Sequence, residues 1–206
     1  TENLSNCAND WAAWDDTCRY VEDHNAAFAQ QNLLSETFVS AHISFLCILD
    51  SRRQIVWSEA RDLETLELMD VPSLRVMLQE EACPFTRFQS VNDVKTGLAL
   101  TRHGPILLAS RPIITSKREG PVRGAVIMGL FLNAKQIASL ADRTRVDLAV
   151  WSVTQEDMPP EARRSLERGP REGSALVELV DAQTLHAYTV LQDMRGQPAL
   201  LLRIAM

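Results

Sequence analysis

The sequence predicts an α+β fold, a mostly antiparallel sheet with a long N-terminal helix packed on one face. Three observations carry this. Over residues 10–32, Trp11, Trp14, Asp15, Cys18, Val21, Asn25, Phe28 and Asn32 recur at three- and four-residue intervals, which places them on one helical face. Residues 45–57 form two short apolar runs around Asp50-Ser51-Arg52-Arg53, the pattern of a hairpin. Strand-like and helix-like segments do not alternate regularly, which argues against a parallel doubly wound sheet.

The remaining elements follow in order. Ser35 is placed to cap a short turn of helix in the link over residues 33–42. Pro72 suits the first turn of a helix over 72–82, with Leu74, Met77 and Leu78 on one face, and Pro84 ends it. A short strand is expected at 97–100. A longer one over 106–114 contains Pro112, so it is expected to lie at a sheet edge or to bend at Arg111. Residues 122–132 are the most apolar run and suit a central strand. Asn133 then caps a helix with Ile137, Leu140 and Ala141 inward. A strand at 147–153 precedes a proline-rich, charged excursion over 155–170. Its helix, 161–168, is expected to be peripheral and to close at Gly169-Pro170. Three antiparallel strands, 175–180, 186–191 and 199–204, complete the chain, with a turn at 181–184 between the first two. The whole is expected to be one domain, 1–206, with the long helix at 1–32 and the sheet with helical insertions at 33–206.

Composition narrows the partners. Of 206 residues, 46% are apolar and 23% charged, enough for an ordinary core. The formal net charge of -6 and the lack of a basic cluster argue against nucleic acid as a partner. No apolar run reaches the roughly 18 residues of a membrane span. The chain begins at Thr1 almost inside a helix and stops in apolar sequence at Met206, as a soluble segment cut from between two spans would.

Cys7, Cys18, Cys47 and Cys83 form no C-x-x-C pair, and the four histidines have no metal spacing, so neither metal nor cofactor is expected. On a continuous helix Cys7 and Cys18 would lie about 16 Å apart, too far to bridge. Cys18 and Cys47 read as buried thiols, with a Cys18–Cys47 bridge as the alternative. No nucleophile, base and orienting group are grouped in the sequence, so no catalytic residue is assigned.

The chemistry is sought instead on the first helix. Two indoles give rigid apolar walls, and a carboxylate between them can accept from a cation. Two readings stay open. Trp11 and Trp14 are core anchors with Asp15 tied to sheet amides. Alternatively, Trp11, Trp14, Asp15, Cys18 and Asn25 line a small-molecule pocket with Arg111 as a counter-charge.

The same residues resemble a known family. Asp10-Trp11-Ala12, Trp14-Asp15-Asp16-Thr17, Val21, Asp23, Asn25 and Asn32-Leu33 are similar to the opening helix of the fourth type of CHASE domain, with Cys18 where an aromatic is usual. Weaker similarity continues through Leu49-Asp50, Ile55-Val56, Ser110-Arg111-Pro112-Ile113 and Gly120-Pro121 to Gly129, and thins after about Trp151. The resemblance implies a PAS/Cache-like, non-catalytic, extracytoplasmic or periplasmic sensor domain. It would sit in an inner-membrane receptor whose output is a GGDEF/EAL diguanylate cyclase or phosphodiesterase, or a histidine kinase. The implied partners are an unidentified small-molecule ligand, the membrane through flanking spans, and a second copy in a homodimer. The competing classes are a soluble α+β enzyme and a ligand-free dimerisation domain.

Overall fold

Trp14 is extended (φ -113, ψ 128), and the helix expected to run through it is broken there. The structure, a computed structural model, describes residues 2–169, 173–181 and 183–206. The expected close at Pro170 and position 182 of the 181–184 turn lie outside them. In place of one long helix there are α1 (Glu2–Ala12), α2 (Asp15–Asp23), α3 (Ala26–Asn32) and α4 (Ser35–Ala41). The breaks follow from local polar chemistry. Asp and Asn compete for backbone amides and favour helix ends over interiors. His24 closes α2 in the left-handed region, its N–H donating to the Tyr20 carbonyl. Asn25 then caps α3, its Oδ1 accepting from the Phe28 N–H at 2.8 Å. Because each break is short, the three- and four-residue periodicity survives across it and hides it. Ser35 is the first residue of α4 rather than its cap.

The chain divides into two compact units, Thr1–Gly97 with Thr101–Leu130, and Leu98–Leu100 with Phe131–Met206. The first is built on a five-stranded sheet: β1 (Phe45–Asp50), β2 (Ile55–Ala60), β3 (Lys95–Thr101), β4 (Gly104–Ile113) and β5 (Gly124–Phe131), in the order β2-β1-β5-β4-β3. β5 is central, as its apolar run predicts. β1 pairs antiparallel with both β2 and β5. Pro112 is not on an edge strand. β4 is 10 residues long against 7 for β3, so Pro112 lies beyond the end of that neighbour, where its missing N–H costs no ladder bond.

Strand side chains alternate between faces. On one face Leu46, Ile48, Ala109, Ile113, Val126 and Met128 form a single buried cluster with Leu4, Ala8 and Ala12 of α1, Cys18, Tyr20 and Val21 of α2, Phe28 and Phe38. The small residues Ser5, Ala8 and Ala12 let α1 approach closely, and the Ile114 N–H donates to the Ala12 carbonyl at 2.9 Å. Phe45, Cys47 and Leu49 point to the opposite face. α5 (Pro72–Gln79) and the 3-10 turn Pro84–Thr86 belong to the same unit; Leu74, Leu78 and Phe85 are buried, and Arg75 donates to the Ser58 carbonyl of β2.

The second unit carries a four-stranded antiparallel sheet of β6 (Asp147–Ser152), β7 (Leu176–Leu179), β8 (Leu185–Gln192) and β9 (Pro198–Ala205), ordered β6-β9-β8-β7. Asn133 caps α6 (Ala134–Thr144) as predicted, with Oδ1 2.9 Å from the Gln136 N–H. The inward face expected for Ile137, Leu140 and Ala141 is not buried, and Leu140 is 46% exposed. The charged helix α7 (Pro160–Glu167) is not peripheral. Met158 and Ala162 pack with Tyr188, Val190 and Leu201 in the core of this sheet, and Ser165 is fully buried. Its charges are Arg and Glu flanking a narrow stripe of small residues, which composition alone does not reveal.

Candidate functional site

The tryptophan face folds into a ring cluster. Trp11 at the end of α1 and Trp14 just before α2 meet edge-on, with centroids 6.3 Å apart. Phe28 of α3 reaches both, at 6.5 Å and 5.6 Å, and stacks on Tyr20 at 4.5 Å. Cys18 is buried in the same core, and Trp11 and Trp14 are half-buried against it. This is an aromatic core seam between three helices and the sheet.

Asp15 does not look inward. It is exposed, and both carboxylate oxygens are held by one residue: Oδ1 accepts from the Ser116 N–H at 2.8 Å and Oδ2 from its hydroxyl at 2.7 Å. These two bonds, with weaker help from Arg19 and Lys117, hold its pKa below the usual aspartate value. Asp15 is thus a latch from the first turn of α2 to the connection after β4. Two further contacts reinforce it: Arg118 donates to Asn9 Oδ1 at 2.9 Å, and Arg123 pairs with Glu22.

The other two expected site residues stand apart. Asn25 is a helix cap, further tied to Asp23 by a side-chain bond at 2.8 Å. Arg111 lies on the sheet face under α1, where its Nε donates to the Ser5 carbonyl at a long 3.4 Å. Partial burial and the neighbouring Arg118 push its pKa down. It is not the counter-charge of Asp15. The structure therefore joins Trp11, Trp14 and Cys18, and separates Asp15, Asn25 and Arg111 into three different structural contacts.

Cys7, Cys18, Cys47 and Cys83 are free thiols. Cys18 belongs to the helix-side core, whereas Cys47, between Leu46 and Ile48 on β1, faces the other way. The Cys18–Cys47 bridge is thereby excluded. Burial pushes the Cys47 thiol up to about 12, which leaves it unreactive.

The latch has a measurable signature. The Asp15 pKa is lower folded than unfolded, so its stabilisation is present above the unfolded value and lost as pH falls through the folded one. Asp15→Asn keeps an acceptor but loses the charge. Its Tm should lie below that of the wild type at pH 7, and the gap should close below about pH 4. An equal gap at pH 7 and pH 3 would contradict the assignment.

A concavity lies on the opposite sheet face, and sequence reasoning missed it. It has a volume of ≈ 190 Å³ and is lined by Leu49, Asp50, Ser51, Arg53, Thr86, Phe88, Val122, Gly124 and Ala125. Three segments distant in the chain build it. Of its residues, Asp50 and Arg53 are visible in the sequence only as hairpin-turn residues.

Comparison with known proteins gives the class. The model of the CHASE4 domain matches residues 1–151. The methanogenesis regulatory histidine kinase FilI of Methanothrix harundinacea is 28% identical over 202 residues, 97% of this chain and 22% of that protein. The chain thus spans about a fifth of that relative's length. Among solved structures, the extracellular domain of vpHK1S-Z8, described as a histidine kinase, superposes with a TM-score of 0.53 at 15% identity, over 91% of this chain and 77% of that one. The Vibrio cholerae DctB histidine kinase sensor domain gives 0.48 at 9% identity, over 99% and 88%. The first of these likenesses shows a shared PAS/Cache-like fold. With nearly three quarters of its length matched, the chain belongs to the CHASE4 domain family, extracytoplasmic sensor modules of membrane-bound signalling receptors.

Proposed function

We propose that the chain is the ligand-sensing input module of a membrane-bound histidine kinase, carried on the outer, periplasmic side of the cytoplasmic membrane. The observation that carries this reading is the alignment with FilI, a histidine kinase by name, along 97% of the present chain. The length of that alignment also supports treating residues 1–206 as one sensory module, both units included. Among the described residues no helix is long and apolar enough to cross a membrane, so the spans would lie outside this segment.

The signalling step would be a ligand-dependent change between two packings. α1 is the natural output lever. It is held to the sheet at the Ser5 and Ala12 carbonyls, and its Asn9 is held by Arg118. A ligand that shifts the connection between β4 and β5 would strain all of these contacts together.

The test uses the full-length receptor in sealed membrane vesicles. Protease should reach this domain only from the outer side, and small molecules added there should change the rate of histidine phosphorylation from ATP. Digestion from the inner side would refute the location. Formation or hydrolysis of cyclic di-GMP without phosphohistidine would refute the kinase output.

A further inference from the structure

We propose that the concavity on the sheet face away from the tryptophans binds a small zwitterion, its carboxylate on Arg53 and its ammonium on Asp50. The proposal rests on the sensor reading above and names the ligand chemistry.

Size comes first. At ~30 Å³ per water, ≈ 190 Å³ holds about six waters, so the occupant has on the order of six to ten heavy atoms. Its lining is apolar at Leu49, Ala125, Val122 and Phe88 and polar at Asp50, Ser51, Arg53 and Thr86. At Gly124 the strands β1 and β5 approach closely, since a Cβ there would lie 2.0 Å from the Leu49 carbonyl oxygen.

Charge comes second. Asp50 Oδ1 is used by the turn itself, accepting from the N–H groups of Arg52 and Gln54 at 2.8 Å each. Its second oxygen has no partner among the described residues. Arg53 donates from Nη1 to the Glu81 carbonyl at 3.3 Å, and no carboxylate pairs with it among the described residues. A guanidinium offers five N–H donors, so most of this one remains available. Asp50 and Arg53 thus face one small concavity, opposite in charge and not paired with each other. A ligand with one charge would satisfy one of them and desolvate the other without compensation. A ligand carrying both charges satisfies both through charge-assisted bonds.

Connection comes third. Val122 and Gly124 end the segment whose Ser116 holds Asp15, whose Arg118 holds Asn9 and whose Arg123 pairs with Glu22. An occupant touching Val122 and Gly124 therefore acts on the stretch that anchors α1 and α2.

Thermal melts of the excised chain test this, with L-alanine and L-valine as zwitterions and propionate and propylamine as single-charge controls, each at about 10 mM. The zwitterions should raise the Tm by about 3 °C or more, and the controls should not. Arg53→Gln and Asp50→Asn, which keeps the turn acceptor, should each abolish the rise. Arg53 has φ 63, a conformation that glycine adopts freely, so Arg53→Gly should retain the wild-type Tm while losing the response. Val122→Phe fills the space without touching either charge and should also abolish it. No rise with either zwitterion, or an equal rise with propionate, overturns the proposal. A zwitterion response that survives in all four variants also overturns it while leaving the sensor reading intact. The sensor reading is itself judged by the vesicle experiment.

Discussion

Gly124→Ala should unfold the first unit or leave it barely stable. The added Cβ would lie 2.0 Å from the Leu49 carbonyl oxygen, 3.0 Å from its carbon and 3.2 Å from the Asp50 carbonyl carbon. These are backbone atoms, so no rotamer change relieves the contact. Gly124 opposes Asp50 at the start of the central strand β5. Relief requires β1 and β5 to separate at that end, which breaks ladder bonds and exposes Leu49 and Ala125. Overpacking in a core costs about 1–3 kcal/mol where side chains can move, and the loss here should be at least about 3 kcal/mol. Gly129→Ala is the milder control, because its nearest contacts are the movable ends of Ile106 (2.7 Å) and Leu108 (3.0 Å). Urea unfolding of both variants reads the difference. A Gly124→Ala loss under about 1 kcal/mol would show that β1 and β5 are not closely paired there.

Phe28→Ala should cost about 3–5 kcal/mol, the usual range for a buried aromatic. Its ring touches Trp11, Trp14 and Tyr20, so truncation removes the common partner of the whole seam. The measurement separates the two roles left open for this face. Core anchors lose stability when truncated, with or without ligand. A wall of a water-filled pocket would lose under about 1 kcal/mol and instead lose the ligand response. Chemical denaturation with and without L-alanine distinguishes them.

Much of the strand content was legible because it depends on local pattern. The 45–57 hairpin, the apolar central strand, the Asn133 cap and the strands of the second sheet are all encoded in neighbouring residues. The tryptophan-aspartate sequence likewise pointed to the family. The breaks at Trp14 and His24 were not legible from periodicity, because α1, α2 and α3 keep one side toward the sheet across each bend. Asp15, Asp23 and Asn25 carried the missing signal, as short polar side chains that serve helix ends better than interiors. Strand periodicity also says nothing about which sheet a strand joins. The concavity was invisible for a related reason. Its charged residues belong to one turn, its walls to segments near 86–88 and 122–125, and only folding brings these together.

Asp15 shows why residue type and residue role must be argued separately. A carboxylate between two tryptophans reads as a cation site, yet the first turn of α2 directs it outward to Ser116. Its work is to fasten a helix, and the proposed zwitterion site lies across the sheet.

Hydrogen exchange of the excised chain with and without L-alanine tests the placement of the binding site most directly. Amides of residues 49–54, 86–88 and 122–125 should exchange more slowly with ligand, with a smaller change around Ser116 and the start of α2. Protection confined to residues 10–32, with none at 49–54 or 122–125, would place the ligand on the tryptophan face and contradict the assignment.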